Sequence, residues 1–320
     1  MSDSAPRRDT RGIVDPAELL SRVRFRRHTP APELRPFLEH YWLIDWELPE
    51  PYATHVVPHP SVNIVFQRYG ALDAPAVHAR ACAEVAGIGL GLFTRKLTGT
   101  GRVCGIQFRP GGFRPFAPAW PVSTWTGRRV SLPTVFPDTD TGAGRGPATV
   151  TEPDPTTKPD PDIEPDPDIE PGPATAPGLL DAVLSPETDH ARVAALDAFL
   201  LARGPAPDPA ADRAMELVDL VREDRGLRKV SQLVAAAGLS ARSLQRLFGS
   251  HVGVAPKWVI LRYRIHEALE RAEAAGEAGG PDWAALAAEL GYSDQAHLVR
   301  DFTATIGASP TAYARGLSAP

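Results

Sequence analysis

Hydrophobic and polar positions alternate along residues 40–48, where Trp42, Ile44, Trp46 and Leu48 fall on one face at period two, the spacing of a half-buried strand. Residues 61–67 and 102–108 are short, β-branched runs. Pro58 and Pro60 precede the first, and Pro110, Gly111 and Gly112 follow the second. Many short strands with this punctuation predict an antiparallel barrel or sandwich over residues 24–136. Beyond residue 178 the period becomes helical: Val193, Leu196 and Leu200 recur on one face up to Arg203 and Gly204, with Ser185, Pro186 and Glu187 as the expected N-terminal cap.

The C-terminal third contains an internal repeat. Phe248, Gly253 and Pro256 recur as Phe302, Gly307 and Pro310, each 54 residues on. Upstream, Leu233 and Gly238 match Leu286 and Gly291, and Leu244 matches Leu298 after one extra residue. Each copy predicts a helix, a tight turn at glycine, and a second helix burying Leu244 with Phe248, or Leu298 with Phe302, at i and i+4. That is a helix-turn-helix, twice. With those pairs turned inward, Arg242, Gln245, Arg246 and Gly249 lie on the outer face of the first such helix, which Ser240 caps. In the second, capped by Ser293 or Asp294, the outer residues are Gln295, Ala296, Val299 and Arg300, with His297 at the margin. Arginine suits guanine O6 and N7, and glutamine suits adenine N6 and N7. Residues 256–275 read as one connecting helix with Trp258, Leu261, Ile265 and Leu269 in a stripe. At 1.5 Å per residue its length is about 30 Å, close to the roughly 34 Å of one DNA turn.

Charge sharpens this picture because the overall net of -5 averages unlike segments. Between Arg225 and Arg264 stand Arg225, Arg228, Lys229, Arg242, Arg246, Lys257, Arg262 and Arg264 with no acidic residue, a stretch suited to a polyanion. Residues 137–178 carry two basic against ten acidic residues, repeat PDPDIE from Pro159 and again from Pro165, and hold many of the 34 prolines. So acidic and apolar-poor a segment is expected to be a disordered spacer. Cys82 and Cys104 are the only cysteines, which excludes a disulfide framework and an all-cysteine zinc site and fits a reducing compartment. The polar first twelve residues have no signal-peptide core and no later run is long and apolar enough to span a membrane, so a cytoplasmic protein is expected.

Residues 211–315 resemble the paired helix-turn-helix DNA-binding domain of AraC-type transcriptional regulators. Leu239 to Phe248, Gly291 to Phe302 and the closing Gly307, Ser309, Pro310 and Tyr313 stand where that family's signature stands. The resemblance implies base-reading roles for Arg242, Gln245 and Arg246 in the first head and for Gln295, Ala296, His297 and Arg300 in the second. Arg228, Lys229, Ser240, Lys257 and Ser293 are the expected phosphate contacts. The N-terminal part resembles the β-rich sensor domains attached to some AraC-type regulators, through residues 58–66 and the FRPGGF run of 108–113. Such domains bind an effector, dimerise, or both, and Trp42, Trp46, Phe66, Gln107, Phe108 and Arg109 are the expected pocket, with core packing as the competing role.

His55, His59 and His78 lack the tight His-x-His and following Glu of a metal cupin, so no metal and no cofactor is expected. The alternative function is a bifunctional protein whose β domain is a cupin-like enzyme or a cysteine alkyl acceptor. A phosphorylated response regulator would need a βα alternation that the first 136 residues lack. The expectation is therefore a non-enzymatic α+β regulator: a flexible N-terminus (1–23), a sensor domain (24–136), a disordered acidic Pro-rich linker (137–178), a connecting helical segment (179–207) and a double helix-turn-helix (208–320). Its expected partners are double-stranded DNA, a small-molecule effector, a second copy of the chain in a homodimer and, for an activator, RNA polymerase, with no membrane partner.

Overall fold

A computed structural model describes residues 13–14, 16–70, 80–137, 177–275 and 281–317. The spacer expected over 137–178 lies almost wholly outside them. The β-rich domain is a six-stranded antiparallel sheet in the order β1-β2-β5-β3-β4-β6, made of β1 (Arg24–His28), β2 (Leu38–Val56), β3 (Asn63–Tyr69), β4 (Arg80–Ala86), β5 (Phe93–Phe108) and β6 (Arg129–Ser131). Strand alternation sorts its residues into two faces. Tyr41, Leu43, Ile64, Phe66, Cys104, Ile106 and Phe108 enter the main core. On the opposite face Trp46, Leu48, Val65 and Val103 are buried with Trp42 and Ile44 against them, the period-two set read from the sequence. There β5 carries Gly101 and Gly105 because the indoles of Trp46 and Trp42 lie flat on it: a Cβ would fall 2.1 Å from Trp46 Cζ2 and 1.9 Å from Trp42 Cε2.

Two of the expected segments pack on the sheet. Within the expected N-terminal segment 1–23, Pro16–Arg22 forms helix α1, and Leu19 finds apolar partners on the Trp46 face. The expected connecting helical segment, 179–207, holds α3 (Pro177–Leu184) and α4 (Asp189–Arg203), which follow the short α2 (Leu132–Val135). Their apolar sides, Leu180, Val183, Leu184, Leu196, Phe199 and Leu200, join the main core of the sheet. An amphipathic helix needs a surface for its stripe, and the sheet supplies one. The cap of α4 also moves: Ser185 N–H donates to Asp181 O and ends α3, and Thr188 Oγ1 accepts from Ala191 N–H at 3.3 Å.

Charge fastens α4 in place. Arg192 is 1% exposed and donates to both Asp45 oxygens at 3.1 and 3.2 Å and to the Pro186 and Glu187 carbonyls. Arg26 bridges Asp45 and Asp189, and Arg102 donates to Asp45 at 2.6 Å. Every buried charge here has a partner and further hydrogen bonds, the condition under which such burial is tolerated. Phe136, before residues 138–176, and α3, after them, both enter the same core. The chain passes to the helical domain later, through residues 204–208.

The helical domain comprises α5 (Pro209–Glu223), α6 (Val230–Ala237), α7 (Ala241–Leu247), a π-helical turn at Phe248–Val252, α8 (Pro256–Ala275), α9 (Trp283–Glu289), α10 (Gln295–Ile306) and α11 (Pro310–Leu317). The repeat is visible in the backbone. Gly238 and Gly291 have φ of 64° and 75°, and Gly253 and Gly307 have 95° and 81°, a region that side chains other than glycine rarely adopt. Among the described residues no helix is long and apolar enough to cross a membrane.

Candidate nucleic-acid interface

Each head is built as its buried pair demands. Leu244 and Phe248 are fully buried, as are Leu298 and Phe302. Their inward turn leaves Arg242, Gln245 and Arg246 exposed on α7, and Gln295, Ala296 and Arg300 exposed on α10. Ser240 caps α7 by accepting from Ser243 N–H at 3.1 Å. Asp294, not Ser293, caps α10 by accepting from His297 N–H at 2.7 Å, the bond that chiefly holds its carboxyl below the usual range. His297 is half-buried: its Nδ1 lies 3.2 Å from Ser293 Oγ, its Nε2 3.6 Å from Asp301, and its ring against Tyr292. That histidine is therefore the most constrained of the seven expected base readers.

The eight basic residues of 225–264 divide. Lys229, Arg242, Arg246 and Lys257 are exposed and outside any ion pair among the described residues. Arg225 is exposed but pairs with Glu267 at 2.8 Å. Arg228 is exposed with its stem over Gly291, and Arg264 is half-buried beside it. Arg262 is 5% exposed, so its place in a DNA-facing charge run is corrected. It donates to Leu90 O at 3.0 Å, lies 4.4 Å from the Trp258 ring, and burial lowers its guanidinium to about 10. Of the two serines expected at phosphates, Ser240 Oγ is engaged with Ser243, and Ser293 Oγ donates to Asp294.

The six residues expected at an effector pocket do not converge. Trp42, Trp46 and Gln107 belong to one sheet face by strand alternation. Phe66 and Phe108 are fully buried on the other, in edge-to-face contacts with Phe199, Phe113 and Phe116. Arg109 leaves both: it donates to Pro36 O and pairs with Asp219 on α5, beside an Arg222–Glu39 bridge of 2.8 Å. The FRPGGF run is thus a domain junction, with Gly111 at φ 98° packed on Met215 of α5. A second junction escaped the sequence reading. Thr126 Oγ1 donates to Gly253 O at 2.7 Å, and Arg114 donates to Ser250 at the end of the first head. No periodicity marks such contacts, since they join residues more than a hundred positions apart.

On the Trp42 face, Trp42 Nε1 donates to Asn63 Oδ1 at 3.2 Å, Tyr69 OH donates to Gln67 Oε1 at 3.1 Å, and Arg95 donates to Tyr69 OH at 2.9 Å. Gln67 Nε2 contacts Cys82 Sγ. Burial pushes the Cys104 thiol up to about 12 and raises Cys82 as well, opposite to what a reactive thiolate needs. Among the described residues no group of three or more His, Cys, Asp and Glu side chains could hold a metal ion; His78 lies outside them.

Two heads carried on one shared helix, each presenting a polar face beside a buried Leu–Phe pair, define a DNA-binding transcription regulator. Residues 233–316 match the family described as "Helix-turn-helix domain", and this domain is of the AraC type; residues 26–131 match a domain of unknown function, DUF6597. No curated protein matches the chain. Among solved structures, a P21 form of ToxT from Vibrio cholerae is 9% identical, with 87% of this chain and 98% of that one covered at a TM-score of 0.39. Wild-type ToxT of Vibrio cholerae strain SCE256 with bound unsaturated fatty acid is 11% identical over 89% and 98%, at 0.41. ToxT of strain O395 bound to (E)-4-(8-methylnaphthalen-1-yl)but-3-enoic acid is 11% identical over 92% and 99%, at 0.36.

Proposed function

We propose that the chain reads two half-sites in successive major grooves on one face of the duplex, with α7 in one and α10 in the other. Arg242, Gln245 and Arg246 read bases in the first half-site, and Gln295, Ala296, His297 and Arg300 in the second. Lys229 and Lys257 neutralise phosphates, with Ser240 and Ser293 beside the backbone at the two helix starts. The observation that carries this reading is the exposure of both polar faces while the matched Leu–Phe pairs are fully buried. The test is selection of binding sequences from a random duplex library by the full chain. Arg246→Ala and Gln295→Ala should each relax preference in a different half of the selected site. Relaxation in the same half would reject a two-groove arrangement.

The β domain binds rather than turns over a small molecule in this reading, at the Trp42, Asn63, Gln67 and Tyr69 face. What favours it is a half-buried aromatic surface threaded with hydrogen-bonding groups, with both thiols held protonated. Trp42→Ala should keep DNA affinity and abolish the response to any small molecule found to alter it. Homodimerisation and contact with RNA polymerase complete the proposed scheme, and sedimentation of the full chain checks the first.

A further inference from the structure

The apolar packing of the helical domain breaks in the middle of α8. The first head shares the sheet's core, which runs through Leu233, Leu244 and Phe248 and ends on α8 at Val259 and Ile260. The second head's core begins on α8 at Ile265 and gathers Leu286, Leu298 and Phe302, and it takes in Val57 of the β domain, with Val14 and Leu92 packed against it. Among the described residues no common apolar cluster spans the two heads. The shared helix sets their distance, while the orientation of one relative to the other depends on these two apolar seats on the β domain and on what passes directly from head to head.

What passes directly from head to head is polar. The loop 224–229 is anchored to the first head by Leu227, which is 7% exposed in the first core, and by Gln232 of α6, whose Oε1 accepts from Arg228 N–H and Lys229 N–H at 2.9 Å and whose Nε2 donates to Gly226 O at 3.2 Å. From that loop Arg225 reaches Glu267 on the far half of α8 at 2.8 Å. Arg228 lays its stem on the turn of the second head: a Cβ on Gly291 would fall 2.3 Å from Arg228 Cδ, and Arg228 Nη1 donates to Ala288 O at 3.5 Å. Arg264, within the break itself, donates to the Arg228 carbonyl and holds its guanidinium 5.4 Å from the Tyr292 ring. Tyr292 in turn packs edge-on against His297 of the second reading helix, with ring centroids 5.1 Å apart.

We infer that the loop 224–229 and Arg264 form a strut between the two heads which fixes the rotation of α10 relative to α7, and so makes the protein selective for one spacing between half-sites. Arg264 and Arg228 are positioning residues in this role: they act through Tyr292 and Gly291 rather than by reading a base. The inference rests on the two-groove reading above. It also explains why two arginines of the basic run sit side by side, with burial and each other's charge lowering the Arg264 guanidinium.

The experiment uses the full chain and duplexes selected from a random library, rebuilt with one base pair added or removed between the half-sites. One base pair rotates the second half-site by about 35° and moves it by about 3.4 Å. The wild-type chain should lose roughly tenfold or more in affinity, about 1.4 kcal/mol. In Arg264→Met and in Glu267→Gln, both checked for native circular dichroism, the loss should shrink to about threefold or less, while affinity for an isolated first half-site stays within about twofold. Arg264→Lys, which keeps a donor for the Arg228 carbonyl, should restore part of the spacing preference. Equal spacing penalties in wild type and folded variants, or a wild-type chain indifferent to spacing, would overturn the strut. A wild-type chain that selects no sequence would instead overturn the two-groove reading and the strut with it.

Discussion

Gly105→Ala tests whether the Trp42 face is a packed surface with defined geometry. Gly105 lies on β5 between β2 and β3, opposite Trp42 and Val65, so the strand is held on both sides and has little room to yield. The new methyl would start 1.9 Å from Trp42 Cε2, 2.2 Å from Cζ2 and 2.4 Å from Nε1, against an ordinary contact of 3.4–4 Å. The indole must move by about 1.5 Å, which breaks its hydrogen bond to Asn63. Overpacking of about 1–3 kcal/mol plus about 1 kcal/mol for the bond gives a loss of about 2–4 kcal/mol. For a unit of this size that is a fall of roughly 5–15 °C in the melting temperature of the β domain. Calorimetry of the full chain reads it, with Gly178→Ala as the opposite control: that glycine lies in α3 with nothing within 4 Å of an added Cβ, and the change should stabilise by about 0.5–1 kcal/mol. DNA affinity should stay within about twofold in both. A Gly105→Ala protein within about 0.5 kcal/mol of wild type would refute the packing described.

Deleting the PDPDIE repeats should leave DNA affinity within about twofold, because the described residues on either side of the segment, Phe136 and α3, belong to the sheet's core and not to the reading heads' outer faces; a loss above roughly tenfold in a binding titration would make it part of the reading unit. Arg246→Ala should cost about 1–3 kcal/mol and Arg300→Ala less, since Asp294 and Asp301 flank the second head; the reverse order in folded proteins contradicts it. Lys257→Ala should flatten the slope of log affinity against log salt by about one unit without changing the selected sequence, and a steep unchanged slope would remove Lys257 from the phosphates. Arg26 holds the Asp189 carboxyl at about 2, below its ordinary 3.8, so its contribution to docking α4 is complete above the ordinary value and is lost as pH falls through about 2. Melting curves between pH 5 and 2 should therefore be flatter for Asp189→Asn, and superimposable pH dependence would dismiss the pairing.

The helical heads were legible because their signal is local. A repeat of glycine, leucine and phenylalanine at fixed offsets carries its own turn geometry, and Gly238, Gly253, Gly291 and Gly307 do adopt the positive φ that explains their type. The exposed reading face followed from burying Leu244 with Phe248 and Leu298 with Phe302. The strands around Trp42 and residues 61–67 and 102–108 were likewise written in a period of two. Less legible was the role of each charge. Arg109, Arg228, Arg262 and Arg264 look alike in a charge run. The first bridges the domains, the second and fourth cross between heads, and the third is buried against a backbone carbonyl.

By itself, then, the chain's order of residues determined the elements, the doubled head and the surface each head turns outward, because periodicity and turn chemistry act over a few residues. Tertiary structure alone decided that α3 and α4 cover the sheet rather than connect the domains, that Phe66 and Phe108 face away from Trp42, and that the junctions fall at Arg109–Asp219 and Thr126–Gly253. Those choices pair groups separated by many tens of residues. Burial and the need of each charge and carbonyl for a partner select among such pairings only once the chain has closed on itself.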